Sequence, residues 1–91
     1  MANIEIFTSP NCNYCKEAKA LLQQLGLSYQ QIDIAENDEN RAAFIERLPR
    51  VRSVPQIFIN GEHIGGFEDL ELMSKDGRLR RLTEQGHRAG S

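Results

Sequence analysis

The chain has 91 residues, of which 40% are hydrophobic and 26% are charged, and its formal net charge is −2. This length and composition indicate one globular domain, near the lower end of what a single hydrophobic core stabilises. The slightly negative charge gives no electrostatic reason to expect nucleic acid or an acidic membrane as a partner. The N-terminal residues lack the basic head and apolar run of a signal peptide, and no stretch is as long as a membrane span. We therefore expect a cytoplasmic protein that does not bind membranes.

The first third of the chain predicts a strand, a helix and a second strand. Residues 4–8 have the apolar alternation of a strand, and Ser9-Pro10-Asn11 is typical of a turn. Apolar side chains recur at helical spacing over 16–25, and Gly26 stands where a C-terminal cap belongs. Residues 27–34 read best as a strand. A strand, a helix and a strand within about 30 residues predict two parallel strands joined by a right-handed crossover.

The middle of the chain predicts another helix and a buried strand. Acidic residues precede a helical pattern over 39–48, and Pro49 marks its end. The apolar run at 56–59 follows Pro55, which cannot donate to a sheet and therefore belongs at the first position of a strand. We expect Phe44 in the core, together with Leu21, Leu22, Ile57 and Phe58.

The last third predicts a hairpin followed by helices. Asn60-Gly61 is a strong signal for a two-residue hairpin turn, with residues 62–65 as the antiparallel partner. A third helix begins at Phe67, a turn lies at 76–77, and a short helix covers 78–83. We expect one domain over 1–83 and a flexible tail over 84–91.

This order of elements predicts an α/β protein with a four-stranded mixed sheet and helices on both faces, which is the thioredoxin-like fold.

The only two cysteines, Cys12 and Cys15, lie three positions apart at the predicted start of the first helix. This spacing places their Cα atoms about 5 to 6 Å apart, which suits a disulfide. Unpaired backbone N–H groups at a helix start favour an anion, so we expect the pKa of the Cys12 thiol to lie below the ordinary value of about 8.5. Cys15 should face the protein and remain a thiol until it reacts.

The cysteine pair has two other interpretations, a structural role and a zinc site. An inert structural disulfide is unusual in a reducing compartment. A zinc site within one chain would need two further ligands, and the sequence offers only His63 and His87. A redox-active pair is therefore the favoured interpretation, and we expect no metal site.

Three motifs follow one another along the chain: Cys-Asn-Tyr-Cys at 12–15, Ser-Val-Pro-Gln-Ile-Phe-Ile at 53–59 and Ile-Gly-Gly-Phe-Glu-Asp-Leu at 64–70. With these motifs in this order, the chain resembles the dithiol glutaredoxins. The resemblance covers about residues 2–82. It implies a glutathione-dependent thiol–disulfide oxidoreductase that serves electron transport and cell redox homeostasis. Cys12 would be the nucleophile and Cys15 the resolving thiol. The partners would be glutathione and oxidised or glutathionylated proteins, and the chain would act as a monomer.

The resemblance also implies a glutathione groove. Val54 would offer its backbone N–H and C=O to the cysteinyl part, next to a cis Pro55. The amides of Phe67 and Glu68 would hold the γ-glutamyl carboxylate at a helix start. Arg41 would meet the glycine carboxylate. The implied glutathione-binding residues are Tyr14, Arg41, Val54, Pro55, Gly66, Phe67 and Glu68.

The chain departs from the family pattern at three places. Asn13 stands where dithiol members commonly have proline, Thr8 and Ser9 replace a basic residue, and Glu68 replaces a shorter side chain. The first departure keeps a second function open, a dimeric carrier in which Cys12 of two chains and two glutathiones hold a [2Fe-2S] cluster. A third function, an electron donor reduced by thioredoxin reductase, is disfavoured by the glutathione-type motifs.

Overall fold

The computed structural model describes residues 2–88, which form four strands and four helices. The elements in chain order are β1 (Ile4–Thr8), α1 (Asn13–Gln24), β2 (Gln30–Asp33), α2 (Asp38–Arg47), β3 (Gln56–Ile59), β4 (Glu62–Gly65), α3 (Phe67–Asp76) and α4 (Arg78–Arg88). Within these residues no helix is both long enough and apolar enough to span a membrane.

The four strands form one mixed sheet in the order β2-β1-β3-β4. β1 pairs with β2 in parallel, so the predicted strand-helix-strand unit is confirmed. β3 is antiparallel to both of its neighbours, β1 and β4. The predicted four-stranded mixed sheet of a thioredoxin-like fold is therefore confirmed.

Apolar side chains cover both faces of the sheet because successive strand residues point to opposite sides. Ile6 and Ile57 belong to a cluster that α1 and α3 cover with Leu22 and other buried side chains. Phe7 lies on the other face. The second cluster, packed against α2, consists of Phe7, Phe44, Leu48 and Phe58. The helices therefore cover both faces, as predicted.

Of the five residues predicted to be in the core, four are buried and Leu21 is only partly buried at the edge of the first cluster. Phe44 meets the ring of Phe7 edge to face, with the ring centroids 5.3 Å apart. This arrangement is favourable for aromatic pairs and ties α2 to the central strand β1.

The turn between β3 and β4 confirms the predicted hairpin. Ile59 pairs with Glu62, so Asn60 and Gly61 alone connect the two strands. Their φ angles are +54° and +83°, as a two-residue turn with both residues in the left-handed region requires.

Element ends differ from the prediction where tertiary contacts or caps decide them. α1 begins at Asn13 and not at residue 16, while β2 covers only Gln30–Asp33 of the predicted 27–34. The last helix continues to Arg88, five residues beyond the predicted end at 83. The flexible tail over 84–91 stays a prediction, and its residues 89–91 lie outside the described part of the chain.

Candidate active site

The cysteine pair lies at the N-terminus of α1, directly after the turn that follows β1. Cys12 is the N-cap residue, with an extended backbone at φ −106° and ψ 107°. The backbone N–H of Cys15 donates a hydrogen bond to Cys12 Sγ over 3.1 Å. The sulfur of Cys12 therefore occupies the place of the oxygen that usually caps a helix.

The two sulfurs are joined in a disulfide, and the Cα atoms lie 5.2 Å apart, as the spacing predicted. Cys15 is buried, with 2% of its surface exposed, while Cys12 is only partly buried. The outer sulfur is therefore the one that a substrate can reach. Since the oxidised pair does not titrate, the lowered pKa of the Cys12 thiol stays a prediction.

The loop before β3 faces the cysteine pair. Cys12 Sγ lies 3.7 Å from the carbonyl oxygen of Val54. The bond between Val54 and Pro55 is cis, which confirms the prediction for this proline. Pro55 is itself buried, so the loop presents backbone groups of Val54 beside the sulfur of Cys12.

A pocket of about 390 Å³ lies between this loop and the start of α3. Tyr14 forms one side of it, with 57% of its surface exposed and its ring centroid 6.1 Å from that of Phe67. Six of the seven residues predicted to bind glutathione line this pocket, and their contact with glutathione stays a prediction. The lining residues are Tyr14, Ser53, Val54, Pro55, Gln56, Gly66, Phe67, Glu68 and Asp69.

The N-terminus of α3 forms the far wall of the pocket. Gly66 is the N-cap residue, and Phe67 and Glu68 are the first two helical positions, whose N–H groups have no partner within the helix. Such N–H groups bind anions well. The wall also carries the carboxylates of Glu68 and Asp69, so a ligand with both a carboxylate and an ammonium group suits it better than a simple anion.

Asp69 was not predicted as a site residue, yet it holds this wall in shape. Its Oδ2 accepts a hydrogen bond from the Gly66 N–H over 3.1 Å. Gly65 has a φ of +124°, and a Cβ atom there would overlap the Asp69 carboxylate. A sequence signal existed, since an acidic residue at the third position of a helix commonly closes the cap.

Arg41 does not line the pocket between the loop before β3 and the start of α3. It lines a different pocket, of about 390 Å³, beside Arg52 and apolar residues of α2 and the following loop. The structure thus does not bring Arg41 to the lining of the pocket that contains Tyr14 and Val54. The contact of Arg41 with a glycine carboxylate stays a prediction.

Among the residues whose side chains are described, no group of three or more His, Cys, Asp and Glu residues could hold a metal ion. The side chain of His87, one of the two histidines that the sequence offers as zinc ligands, lies outside the described part.

Comparison with known proteins identifies the relatives of this chain. The glutaredoxin family model matches residues 4–64. Glutaredoxin 3 of Escherichia coli strain K12 is 47% identical over 79 residues, which cover 87% of this chain and 94% of the relative.

Solved structures that resemble this chain are also glutaredoxins. The solution structure of glutaredoxin from Brucella melitensis is 41% identical with a TM-score of 0.75, covering 90% of this chain and 88% of that one. The crystal structure of a buckwheat glutaredoxin–glutathione complex has a TM-score of 0.81 at 30% identity, covering 94% of this chain and 80% of that one. With its paired cysteines at the start of a helix, the chain belongs to the glutaredoxin family and is a thiol–disulfide oxidoreductase with a thioredoxin-like fold.

Proposed function

We propose that the chain uses glutathione to reduce protein disulfides and glutathione mixed disulfides. One observation carries the proposal: the cysteine pair at the start of α1 borders a pocket whose walls are the backbone of Val54 and the N-terminus of α3. The relative crystallised with glutathione supports it. We also propose that the chain works as a monomer in the reducing cytoplasm.

In the reaction with a mixed disulfide, the Cys12 thiolate attacks the glutathionyl sulfur, and the target protein leaves as a thiolate that takes up a proton. A second glutathione thiolate then attacks the glutathionyl sulfur bound to Cys12. This step releases glutathione disulfide and restores the Cys12 thiolate. The first attack needs a thiolate, and a sulfur of low pKa is also a good leaving group in the second step.

With a protein disulfide, Cys12 attacks one sulfur and releases the other as a thiol. Cys15 then attacks the mixed disulfide at Cys12, which frees the reduced protein and leaves the bond between Cys12 and Cys15 that the structure contains. Two glutathiones reduce this bond again and leave as glutathione disulfide. The hydrogen bond from the Cys15 N–H would stabilise negative charge on Cys12 in the reduced form.

The pocket offers groups for the cysteinyl and γ-glutamyl parts of glutathione. The N–H and C=O of Val54 would pair with the backbone of the cysteinyl residue beside Cys12. The N–H groups of Phe67 and Glu68 would bind the γ-glutamyl carboxylate. The ammonium group of the same γ-glutamyl residue would face the carboxylates of Glu68 and Asp69. Glutathione therefore matches both signs of charge in this pocket.

The test is steady-state turnover with glutathione, glutathione reductase and a small glutathionyl mixed disulfide, together with reduction of a protein disulfide. Cys12→Ser should abolish both activities because it removes the nucleophile. Cys15→Ser should keep the first activity and lose the second. Turnover by Cys12→Ser would refute the assignment of the nucleophile, and equal loss of both activities in Cys15→Ser would refute its role as the resolving thiol.

A further inference from the structure

Gln56 is a buried polar side chain that lines the proposed glutathione pocket, with 8% of its surface exposed. Its Nε2 lies 3.1 Å from the carbonyl oxygen of Ser53 and 3.4 Å from Ser53 Oγ. Its Oε1 lies 2.8 Å from Nε2 of His63, on the edge strand β4. The amide of Gln56 therefore connects the loop before β3 to a histidine outside the pocket.

Hydrogen-bond chemistry fixes the direction of this connection. A carbonyl oxygen only accepts, so the NH₂ group of Gln56 must face Ser53 O, and its Oε1 must face His63. His63 Nε2 then carries a hydrogen and donates it. The ring of His63 is itself held against Phe58, with ring centroids 5.1 Å apart and an interplanar angle of 35°.

The carbonyl that Gln56 holds belongs to the same planar peptide unit as the N–H of Val54. The bond between Ser53 and Val54 is trans, because the single cis bond among the described residues joins Val54 to Pro55. In a planar trans unit the C=O and the N–H point in opposite directions. A hydrogen bond that fixes the direction of Ser53 O therefore also fixes the direction of the Val54 N–H.

We infer that His63 is a positioning residue for the reaction: through Gln56 it sets the orientation of the Ser53–Val54 peptide unit, and hence of the Val54 N–H that receives the glutathionyl group. This inference rests on the proposed function, because it needs a ligand that pairs with Val54. His63 is exposed on β4 and does not line the pocket, so its influence passes through the hydrogen bonds of Gln56 to His63 Nε2 and to Ser53 O.

The test compares two replacements of His63. His63→Phe keeps an aromatic ring on Phe58 and removes the donor. We expect the kcat/KM for a glutathionyl mixed disulfide to fall roughly three- to ten-fold, the loss that one hydrogen bond commonly causes, with the kcat at saturating substrate within about two-fold of wild type. His63→Gln restores an N–H donor and should recover most of the loss. Glu62→Gln, on the neighbouring exposed position of β4, is the matched control and should leave both constants unchanged.

A second pair of variants tests whether the effect passes through Gln56. Gln56→Leu has a similar shape and makes none of these hydrogen bonds. In the Gln56→Leu background, His63→Phe should cause no further loss, because interacting residues are not additive. The inference is overturned if His63→Phe turns over like wild type, if His63→Gln is as impaired as His63→Phe, or if the full loss persists in the Gln56→Leu background.

A measurement without glutathione separates this inference from the proposed function. The amide resonance of Val54 in the ligand-free protein should shift in His63→Phe and stay in place in Glu62→Gln. An unmoved Val54 signal in His63→Phe would overturn the positioning role alone. Absence of turnover by the wild-type protein, together with a shifted Val54 signal in His63→Phe, would overturn the proposed function but not the orientation of the Val54 N–H by His63.

Discussion

Replacing Asn13 with proline is predicted to stabilise the protein. Asn13 is the first residue of α1, where a backbone N–H has no partner within the helix and proline is favoured. The residue before a proline must be extended, and Cys12 already is, with φ −106° and ψ 107°. The native backbone therefore accepts proline without rearrangement.

The size of this stabilisation follows from the conformational freedom that proline removes from the unfolded chain. A proline that fits the native backbone stabilises a protein by about 0.4–1 kcal/mol, since it reduces the freedom that folding removes. For a domain of this size, each kcal/mol shifts Tm by about 4–8 °C, so we expect Asn13→Pro to raise Tm by roughly 2–8 °C.

The assay is thermal unfolding followed by circular dichroism, with the cysteine pair oxidised and again with it reduced. Asn13→Ala is the control, because it removes the same side chain and leaves φ free. Its change in Tm is subtracted from that of Asn13→Pro. If Asn13→Pro melts below the alanine variant, the interpretation of position 13 as a relaxed first helical residue is wrong.

Two further predictions concern stability. Gly65→Ala should lower the free energy of unfolding, measured in urea, by at least the roughly 1–3 kcal/mol that a strained backbone costs. The strain arises because φ of Gly65 is +124°, and the new Cβ atom would also overlap the Asp69 carboxylate. Gly61→Ala has a positive φ but open space, so a loss as large as that of Gly65→Ala would contradict this reasoning. Asp76 accepts a hydrogen bond from the backbone N–H of Arg78, which holds the pKa of Asp76 below its ordinary value of 3.8. The stabilisation from the charge of Asp76 is therefore present above about pH 3.8 and is lost as the pH falls through the lowered pKa. The Tm difference between wild type and Asp76→Asn should shrink as the pH falls below about 3.8. A Tm difference that stays constant with pH would refute this coupling between the ionisation of Asp76 and stability.

Features that depend on local sequence were predicted well. The hairpin at Asn60-Gly61 follows from the left-handed backbone that these two residue types accept. The position of Cys12 at a helix start follows from the strand and turn before it. The predicted helical run of 16–25 left out the first three residues of α1, although Cys12 was expected at the helix start, because a thiol is not an expected capping group and Cys12 Sγ supplies the cap.

Some contacts between distant segments were not predicted. The hydrogen bonds that join His63, Gln56 and Ser53 need the register of β3 against β4 together with the path of the preceding loop. Arg41 was assigned to the glutathione groove by resemblance alone; it lines a different pocket, and its contact with the glycine carboxylate stays a prediction. A linear pattern shows which residues are polar, but it does not show which of them meet.

The short spacing between Cys12 and Cys15 has a consequence for the whole molecule. In the chain-entropy model, a cross-link between residues three apart restrains the unfolded chain by about 2 kcal/mol, compared with about 4.7 kcal/mol for a loop of 100 residues. The apolar clusters on the two faces of the sheet, and not this bond, therefore hold the architecture together. A protein built in this way can gain and lose a covalent link in every catalytic cycle while the same scaffold persists through both states.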